Sequence, residues 1–205
     1  MVDSICDWLL KKNTDNDPSI NEEKSEIIYY GLQNIIGELP KGIFILIVAW
    51  ICGVLDLVFI GTIPFLIYRG FAGGAHLKTH ISCLVISILL IIGSAFLAKN
   101  FLFENPILIY TMLMIFNLIL AILYAPADTE AVPILRKKDR NLKRKLSYIT
   151  MTLTLICAVI IKNNTISNLL IVGTLMQTLS ISGFMYKITK CKFGYREYIK
   201  LNNIA

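Results

Sequence analysis

The sequence predicts an all-α fold: a polytopic membrane helical bundle of about six membrane segments with an N-terminal amphipathic helix. Hydrophobic residues make up 56% of the 205 residues and charged residues only 17%, whereas soluble domains carry about a quarter charged residues. The apolar residues also come in long blocks. We expect a single membrane domain over 1–205, with a cytoplasmic or interfacial N-terminal segment (1–40), membrane spans (41–186) and a basic cytoplasmic tail (187–205).

The first elements are an amphipathic helix and an apolar stretch of ambiguous length. Residues 25–39 have apolar positions at helical spacing, which is typical of a helix on the membrane surface. The stretch 42–68 is interrupted by Asp56, Gly61 and Pro64. One span needs about 20 residues and two straight ones about 40, so the stretch is either one long tilted helix or a hairpin of short helices turning near Asp56. We favour the hairpin, which gives six membrane segments and a cytoplasmic N-terminus. The single helix would give five membrane segments and an N-terminus outside the cell.

Four further apolar segments complete the predicted bundle: 81–98, 107–124, 147–161 and 166–186. The polar loop between the middle two ends in a run, 136–145, with seven Lys or Arg. Because short loops rich in Lys and Arg stay in the cytoplasm, this loop is expected there. Alternation of the spans then puts the 69–80 loop and the basic tail on the same side.

Charge and cysteine content limit the class of protein. The net charge of +6 comes from the second half of the chain, where residues 125–205 hold thirteen Lys or Arg against four Asp or Glu. In a membrane protein this bias indicates orientation and contact with anionic lipid, so we expect the lipid bilayer of the cell membrane, and no nucleic acid, as a partner. The five cysteines show no disulfide pattern. Cys52 and Cys157, inside apolar runs, are interpreted as small buried hydrophobic residues.

The residues suited to chemistry lie together in the run RGFAGGAHLKTHISC, residues 69–83. A cysteine hydrolase needs a thiolate and an imidazole that activates the thiol and later protonates the leaving amine. Cys83 and His76 supply both groups at a predicted membrane boundary. Gly73 and Gly74 let backbone approach a substrate and offer free N–H donors where an oxyanion would form.

Spacing alone leaves other interpretations open. A cysteine in an apolar helix is commonly a packing residue, and the chain is then a non-enzymatic membrane protein such as a small transporter. His76, His80 and Cys83 also have the i, i+4, i+7 pattern that puts three zinc ligands on one helical face. No carboxylate lies within ten residues to orient the imidazoles, so we expect neither a metal nor a cofactor.

Two motifs carry a resemblance to a known family. The run at 69–83, with an Arg, a Gly-Gly-x-His and a Cys seven residues after the His, resembles the active-site signature of AgrB, the accessory gene regulator B family of Gram-positive quorum sensing. The stretch YAPADTEAVPI at 124–134, before a Lys/Arg-rich helix start, resembles a loop that follows the central spans of that family. The resemblance covers roughly residues 25–190.

The resemblance implies a membrane cysteine endopeptidase that cleaves an AgrD-like propeptide and cyclises the product to a thiolactone or lactone. By this analogy Cys83 is the nucleophile, His76 is the general base and acid, and Arg69 and Gly74 match positions that the family needs for activity. His80 is not part of the family pattern. The resemblance also implies a homodimer, and the positive-inside pattern puts the active site on the cytoplasmic side.

Other charged residues have a supporting interpretation and a simpler one. Arg69, Lys78 and the basic run 136–145 are candidates for holding an acidic substrate segment, or they serve only as positive-inside anchors. Asp128 or Glu130 is a candidate for orienting His76 from the neighbouring loop, or both belong to a solvated loop.

Helix dimensions add a geometric expectation. On one straight helix, His76 and Cys83 would be about 10.5 Å apart along the axis, whereas a catalytic hydrogen bond needs about 2.6–3.2 Å. If the pair is catalytic, the helix must be broken between them. We expect the departure from regular helix to begin at Gly73–Gly74, just upstream of the pair, with His76 on an irregular or re-entrant stretch that folds back toward Cys83. Cys83 is expected near the start of a helix, whose positive end stabilises a thiolate.

Overall fold

The computed structural model describes residues 2–16, 22–75, 80–100, 106–130 and 133–202. Within these ranges the structure is helical and contains no β-strand, which confirms the predicted all-α class. The chain divides into two compact units, Met1–Ile51 and Cys52–Ala205. The helices are α1 (Val2–Asn16), α2 (Glu22–Ile51), α3 (Leu55–Ala72), α4 (His80–Asn100), α5 (Pro106–Tyr124), α6 (Lys137–Ile160), α7 (Asn164–Ser180), α8 (Gly183–Ile188) and α9 (Gly194–Leu201).

The first unit is formed by α1 packed against α2. The stretch 25–39 is helical, as predicted, but it is not a separate element. The 30-residue α2 continues through Pro40 into the apolar residues up to Ile51, so the expected boundary at residue 40 lies inside a helix. The helix α1 was not predicted, because its polar sequence has no strong apolar periodicity.

The apolar stretch 42–68 is broken rather than continuous. The helix α2 ends at Ile51 and α3 begins at Leu55. Gly53, between them, has a φ of +66°, a left-handed conformation that glycine adopts without steric cost. The alternative of one long helix is therefore wrong. The break lies just before Asp56, which falls in the first turn of α3, where a carboxylate interacts favourably with the helix dipole.

Three described helices are long and apolar enough to cross a membrane. Their outward faces carry large exposed apolar side chains, such as Ile63, Leu89 and Ile107. In water such a surface would be unfavourable, whereas hydrocarbon accepts it. The all-α chain is accordingly a membrane protein. The three candidate spans are Leu55–Ala72, Ile81–Asn100 and Ile107–Tyr124.

The last two predicted segments differ from the helices that the structure contains. The segment 147–161 belongs to α6, which begins ten residues earlier, at Lys137, because Lys and Arg are good helix formers. The segment 166–186 is not one span. The helix α7 ends at Ser180, and Ser182 starts α8 as its N-cap by accepting a hydrogen bond from the Met185 N–H at 3.3 Å.

The helix α7 is the centre of the second unit, where it packs against α3, α4, α5 and α6. Its buried side chains include Asn168, Thr174, Gln177 and Thr178. A buried polar side chain needs a hydrogen-bond partner when no water is near. Thr178 meets this need through the Tyr68 hydroxyl of α3, 3.1 Å from its Oγ1. The polar sequence of α7 thus reflects its position inside the bundle.

Topology gives a testable prediction. The charge pattern places Asn141, in the second turn of α6, in the cytoplasm, and Asn100 and Asn164 outside. All three side chains are exposed. A membrane-impermeant maleimide applied to intact cells is expected to label Asn100→Cys and Asn164→Cys but not Asn141→Cys, with the unaltered chain as the control for native cysteines. Labelling of Asn141→Cys in sealed cells would overturn the orientation.

Candidate functional site

The helix α3 ends at a tight turn of three residues, Gly73–Ala75, called the glycine turn below. Gly73 has a φ of +76° and a ψ of −151°, and Gly74 has a φ of +154°. These backbone conformations are strained for any residue with a Cβ atom. The next described helix, α4, starts at His80. The predicted helix break at Gly73–Gly74 is therefore confirmed.

The glycine turn is held by two segments that are distant in the sequence. The Ala127 N–H donates to the Ala72 carbonyl at 2.8 Å, and the Gly74 N–H donates to the Ala127 carbonyl at 3.1 Å. On the other side the Ala75 N–H donates to the Ser180 carbonyl at 3.1 Å. The C-terminal ends of α3 and α7 and the loop after α5 therefore meet at one end of the second unit, as alternating spans require.

These bonds correct one expectation about the turn. Gly73 and Gly74 were expected to offer free N–H donors to an oxyanion. Instead the Gly73 N–H donates to the Arg69 carbonyl at 2.8 Å, and the Gly74 and Ala75 N–H groups bond Ala127 and Ser180. The glycines serve close packing: a Cβ atom on Gly73 would lie 2.1 Å from the Ala127 oxygen.

A buried glutamine links Arg69 to the glycine turn. The Gln177 amide nitrogen donates to the Gly73 carbonyl at 2.7 Å, while its Oε1 accepts from Arg69 Nη1 at 3.3 Å and from Ser180 Oγ at 3.2 Å. Gln177 is completely buried. A Cβ atom on Gly74 would lie 3.1 Å from Arg69 Nη1. Arg69 thus helps to build the turn, and a cation at this depth is held by polar side chains.

Sequence reasoning missed Gln177 and Ser180. A signal was available, because both are polar residues inside the apolar run 166–186, and polar residues at membrane depth are functional candidates.

Cys83 lies in the first turn of α4, and its side chain is half-buried. Residues 74–90 do not form one unbroken helix, so the predicted position of Cys83 near a helix start is confirmed. The unpaired N–H groups of a first helical turn stabilise negative charge. His76 and Lys78 lie outside the described residues, so the predicted imidazole–thiol contact stays a prediction.

The two acidic candidates have other contacts than the expected one to His76. The Asp128 side chain is fully buried, with Oδ2 3.3 Å from Arg140 Nη1, and accepts hydrogen bonds from two backbone N–H groups. Its Oδ1 has no hydrogen-bond partner among the described residues. Glu130 is exposed and pairs with Lys192 at 3.1 Å, a surface contact that contributes little to stability. A contact of either carboxylate with His76 stays a prediction.

Two arginines of the basic run 136–145 donate hydrogen bonds to backbone carbonyls of the protein itself. The Arg144 Nε donates to the Ala125 carbonyl at 3.1 Å, and Arg140 Nη2 donates to the Pro126 carbonyl at 3.3 Å. These two cations thus stabilise the loop that holds the glycine turn. Lys137, Lys138 and Lys145 are exposed and free of such a structural role in the described contacts.

The structure also describes some of the possible metal ligands and the cysteines outside the run 69–83. Among the described residues, no three His, Cys, Asp or Glu side chains lie close enough to hold a metal ion. His76 and the side chain of His80 are not described, so the His76, His80 and Cys83 alternative is not tested. Cys52 and Cys157 are exposed rather than buried. Cys52 lies in the turn between α2 and α3, and Cys157 lies on α6.

Comparisons with known proteins agree on one family. The family model described as Accessory gene regulator B matches residues 2–181. An AgrB-like protein of Listeria monocytogenes is 31% identical over 201 residues, covering 98% of this chain and 95% of that relative. The protein FsrB of Enterococcus faecalis is 29% identical over 177 residues, covering 86% and 72%. No solved structure matches the chain.

Proposed function

The chain belongs to the accessory gene regulator B family, and we propose that it is a membrane cysteine endopeptidase that processes an AgrD-like propeptide for quorum sensing. Cys83 is the nucleophile and His76 the general base and acid. The enzyme acts as a homodimer, with its site on the cytoplasmic side, where the basic run 136–145 is expected.

The main support is the end of α3 just before the two proposed catalytic residues. Because α3 ends at Ala72 and Cys83 lies in the first turn of α4, α3 does not continue as one straight helix through His76 to Cys83, where the two would be about 10.5 Å apart along the axis. The glycine turn then fixes Ala75 through the Ser180 carbonyl. Because His76 follows Ala75 directly in the chain, an anchored Ala75 limits where the imidazole can lie.

In the first step, the Cys83 thiolate attacks a carbonyl carbon of the propeptide. The peptide C–N bond breaks, and the C-terminal fragment leaves as an amine that takes its proton from the His76 imidazolium. The N-terminal fragment stays on Cys83 as a thioester. Because the three N–H groups of the glycine turn already donate hydrogen bonds within the protein, the donors for the oxyanion come from the first turn of α4.

In the second step, a thiol or hydroxyl within the held peptide attacks the thioester carbonyl. The carbon–sulfur bond to the enzyme breaks, His76 receives the proton of the attacking group, and the Cys83 thiolate is restored. The product is a thiolactone or a lactone. Water would give a linear acid instead, so a site at the membrane edge favours cyclisation by limiting access of water.

Arg69 acts as a positioning residue in this scheme. Its Nη1 donates to Gln177, which in turn holds the Gly73 carbonyl. The resemblance implies that an arginine is needed at this position, and its hydrogen bond to Gln177 supports a structural reason for that need.

The acyl-enzyme thioester provides the test of the proposed function. The purified full-length chain is mixed with a propeptide whose internal thiol or hydroxyl has been removed, so that the second step is blocked. Mass spectrometry is expected to find the N-terminal fragment on Cys83, released by hydroxylamine, in the unaltered chain and in Cys191→Ala. Cleavage without an adduct on Cys83 would contradict the proposed function.

A further inference from the structure

The C-terminal segment, residues 183–202, is packed tightly on the described residues, 125–130 and 133–134, of the loop that follows α5. The closest approach is at Gly194, where a Cβ atom would lie 2.2 Å from the Thr129 oxygen and 3.0 Å from Pro133 Cβ. Only glycine fits so close to another backbone. The basic tail expected from the sequence is thus an integrated part of the second unit.

Asp128 is the polar centre of this contact. Its Oδ2 accepts hydrogen bonds from the Tyr195 N–H at 2.9 Å and the Ile134 N–H at 3.0 Å, and it lies 3.3 Å from Arg140 Nη1. A fully buried carboxylate carries a large desolvation cost, which these three partners offset. The carboxylate therefore joins the start of α9, the start of α6 and its own loop.

Aromatic packing reinforces the contact. The rings of Tyr186 and Phe193 stack with centroids 3.9 Å apart, and the Arg140 guanidinium lies over the Tyr195 ring at 4.5 Å. The Tyr186 hydroxyl donates to the Asp128 carbonyl at 3.0 Å. Burial raises the pKa of Tyr186 well above its ordinary value, so the hydroxyl stays a donor at physiological pH.

The contact is continuous with the glycine turn. Asp128 follows Ala127, whose N–H and carbonyl bond Ala72 and Gly74. We propose that Asp128 is a positioning residue that clamps the C-terminal segment onto the loop and thereby holds Ala127, and with it the glycine turn, in place for catalysis. The role of this clamp in catalysis rests on the proposed function; the clamp itself does not.

Two measurements on the full-length chain test the clamp. Hydrogen exchange of residues 193–201 reports whether the segment is docked, and steady-state cleavage of the propeptide separates kcat from KM. Asp128→Asn removes the charge that pairs with Arg140, and Gly194→Ala forces the backbones apart. Both are expected to speed exchange and to lower kcat about a hundredfold with little change in KM, since small misplacements of catalytic groups have effects of that size.

Matched controls separate the clamp from general damage. Asp139→Asn makes the same change of charge at an exposed position of α6, and Gly93→Ala adds a Cβ atom where nothing lies within 4 Å. Neither is expected to change exchange or kcat. If Asp128→Asn does not accumulate, Tyr186→Phe provides a milder test, because it removes one hydrogen bond and keeps the aromatic stack.

Two outcomes would overturn the clamp's role. One is faster exchange of the C-terminal segment with kcat within about twofold of the unaltered chain, a difference of less than half a kcal/mol. The other is a fall in kcat while the segment stays protected. If the proposed function is wrong, the Cys83→Ala protein still cleaves the propeptide. Hydrogen exchange then still reports whether the C-terminal segment is docked on the loop.

Discussion

Replacing Cys83 by alanine is expected to lower propeptide cleavage by at least about a thousandfold, because loss of a covalent nucleophile removes the first step of the reaction. Only Cys83 among the cysteines lies in a first helical turn next to the glycine turn and its following histidine. His76→Ala is expected to have an effect of similar size, since the thiol then lacks its base and the leaving amine its acid. The measurement is the ratio of intact to cleaved propeptide, by immunoblot or mass spectrometry.

The remaining cysteines are the matched controls for this prediction. Each is replaced by alanine in turn, and each variant is expected to cleave at the rate of the unaltered chain. Normal cleavage by the Cys83→Ala protein would remove the nucleophile assignment. The four control variants are Cys6→Ala, Cys52→Ala, Cys157→Ala and Cys191→Ala.

Gly73→Ala is expected to have the second largest effect. The new Cβ atom would lie 2.1 Å from the Ala127 oxygen and 2.9 Å from the Ala127 carbonyl carbon. Backbone cannot move aside without breaking the two hydrogen bonds between Ala127 and the segment 72–74. The backbone conformation of Gly73 also costs about 1–3 kcal/mol for a residue with a side chain. We therefore expect a loss of cleavage of about a hundredfold or more and a lower melting temperature in detergent.

Gly70→Ala is the control for this variant. Gly70 lies one turn earlier in α3, and a Cβ atom there would meet nothing within 4 Å. Alanine in a helix is more favourable than glycine by about 0.5–1 kcal/mol, so stability should stay equal or rise slightly, with normal cleavage. A Gly73→Ala protein that cleaves at a normal rate would show that the turn does not position the catalytic pair.

Predictions from the sequence were wrong where contacts join residues that are far apart in the chain. It identified Gly73 and Gly74 as the site of a helix break, but assigned their N–H groups to an oxyanion. Ala127 and Ser180 in fact accept or donate the hydrogen bonds that hold the turn. The missing information is the pairing of residues more than fifty positions apart, which no local pattern of residue types records. The same reason explains why Asp128 was assigned to His76 or to a solvated loop, whereas its side chain is buried beside Arg140.

The predicted burial of side chains was also wrong where a helix face contacts lipid instead of water. Cys157 was expected inside because it lies in an apolar run, yet its side chain is exposed on α6. In a soluble domain, an apolar helix face marks the core, whereas in a bilayer the lipid-facing side is the more apolar one. The polar residues of α7, including Gln177, are buried for the complementary reason: their hydrogen-bond partners lie inside the protein, in neighbouring segments and in α7 itself.

The sequence by itself determined the membrane class, the spans α3, α4 and α5 and the helix break before Cys83, since these depend on the local free energy of transferring residues into hydrocarbon and on the conformational freedom of glycine. Only the tertiary structure decided that α7 is the central helix, that Gln177 anchors Gly73, and that the C-terminal segment docks on Asp128. Each of these depends on which buried polar group finds which partner. Satisfying such groups is a requirement of the whole bundle, because most of these partners come from a different helix or loop.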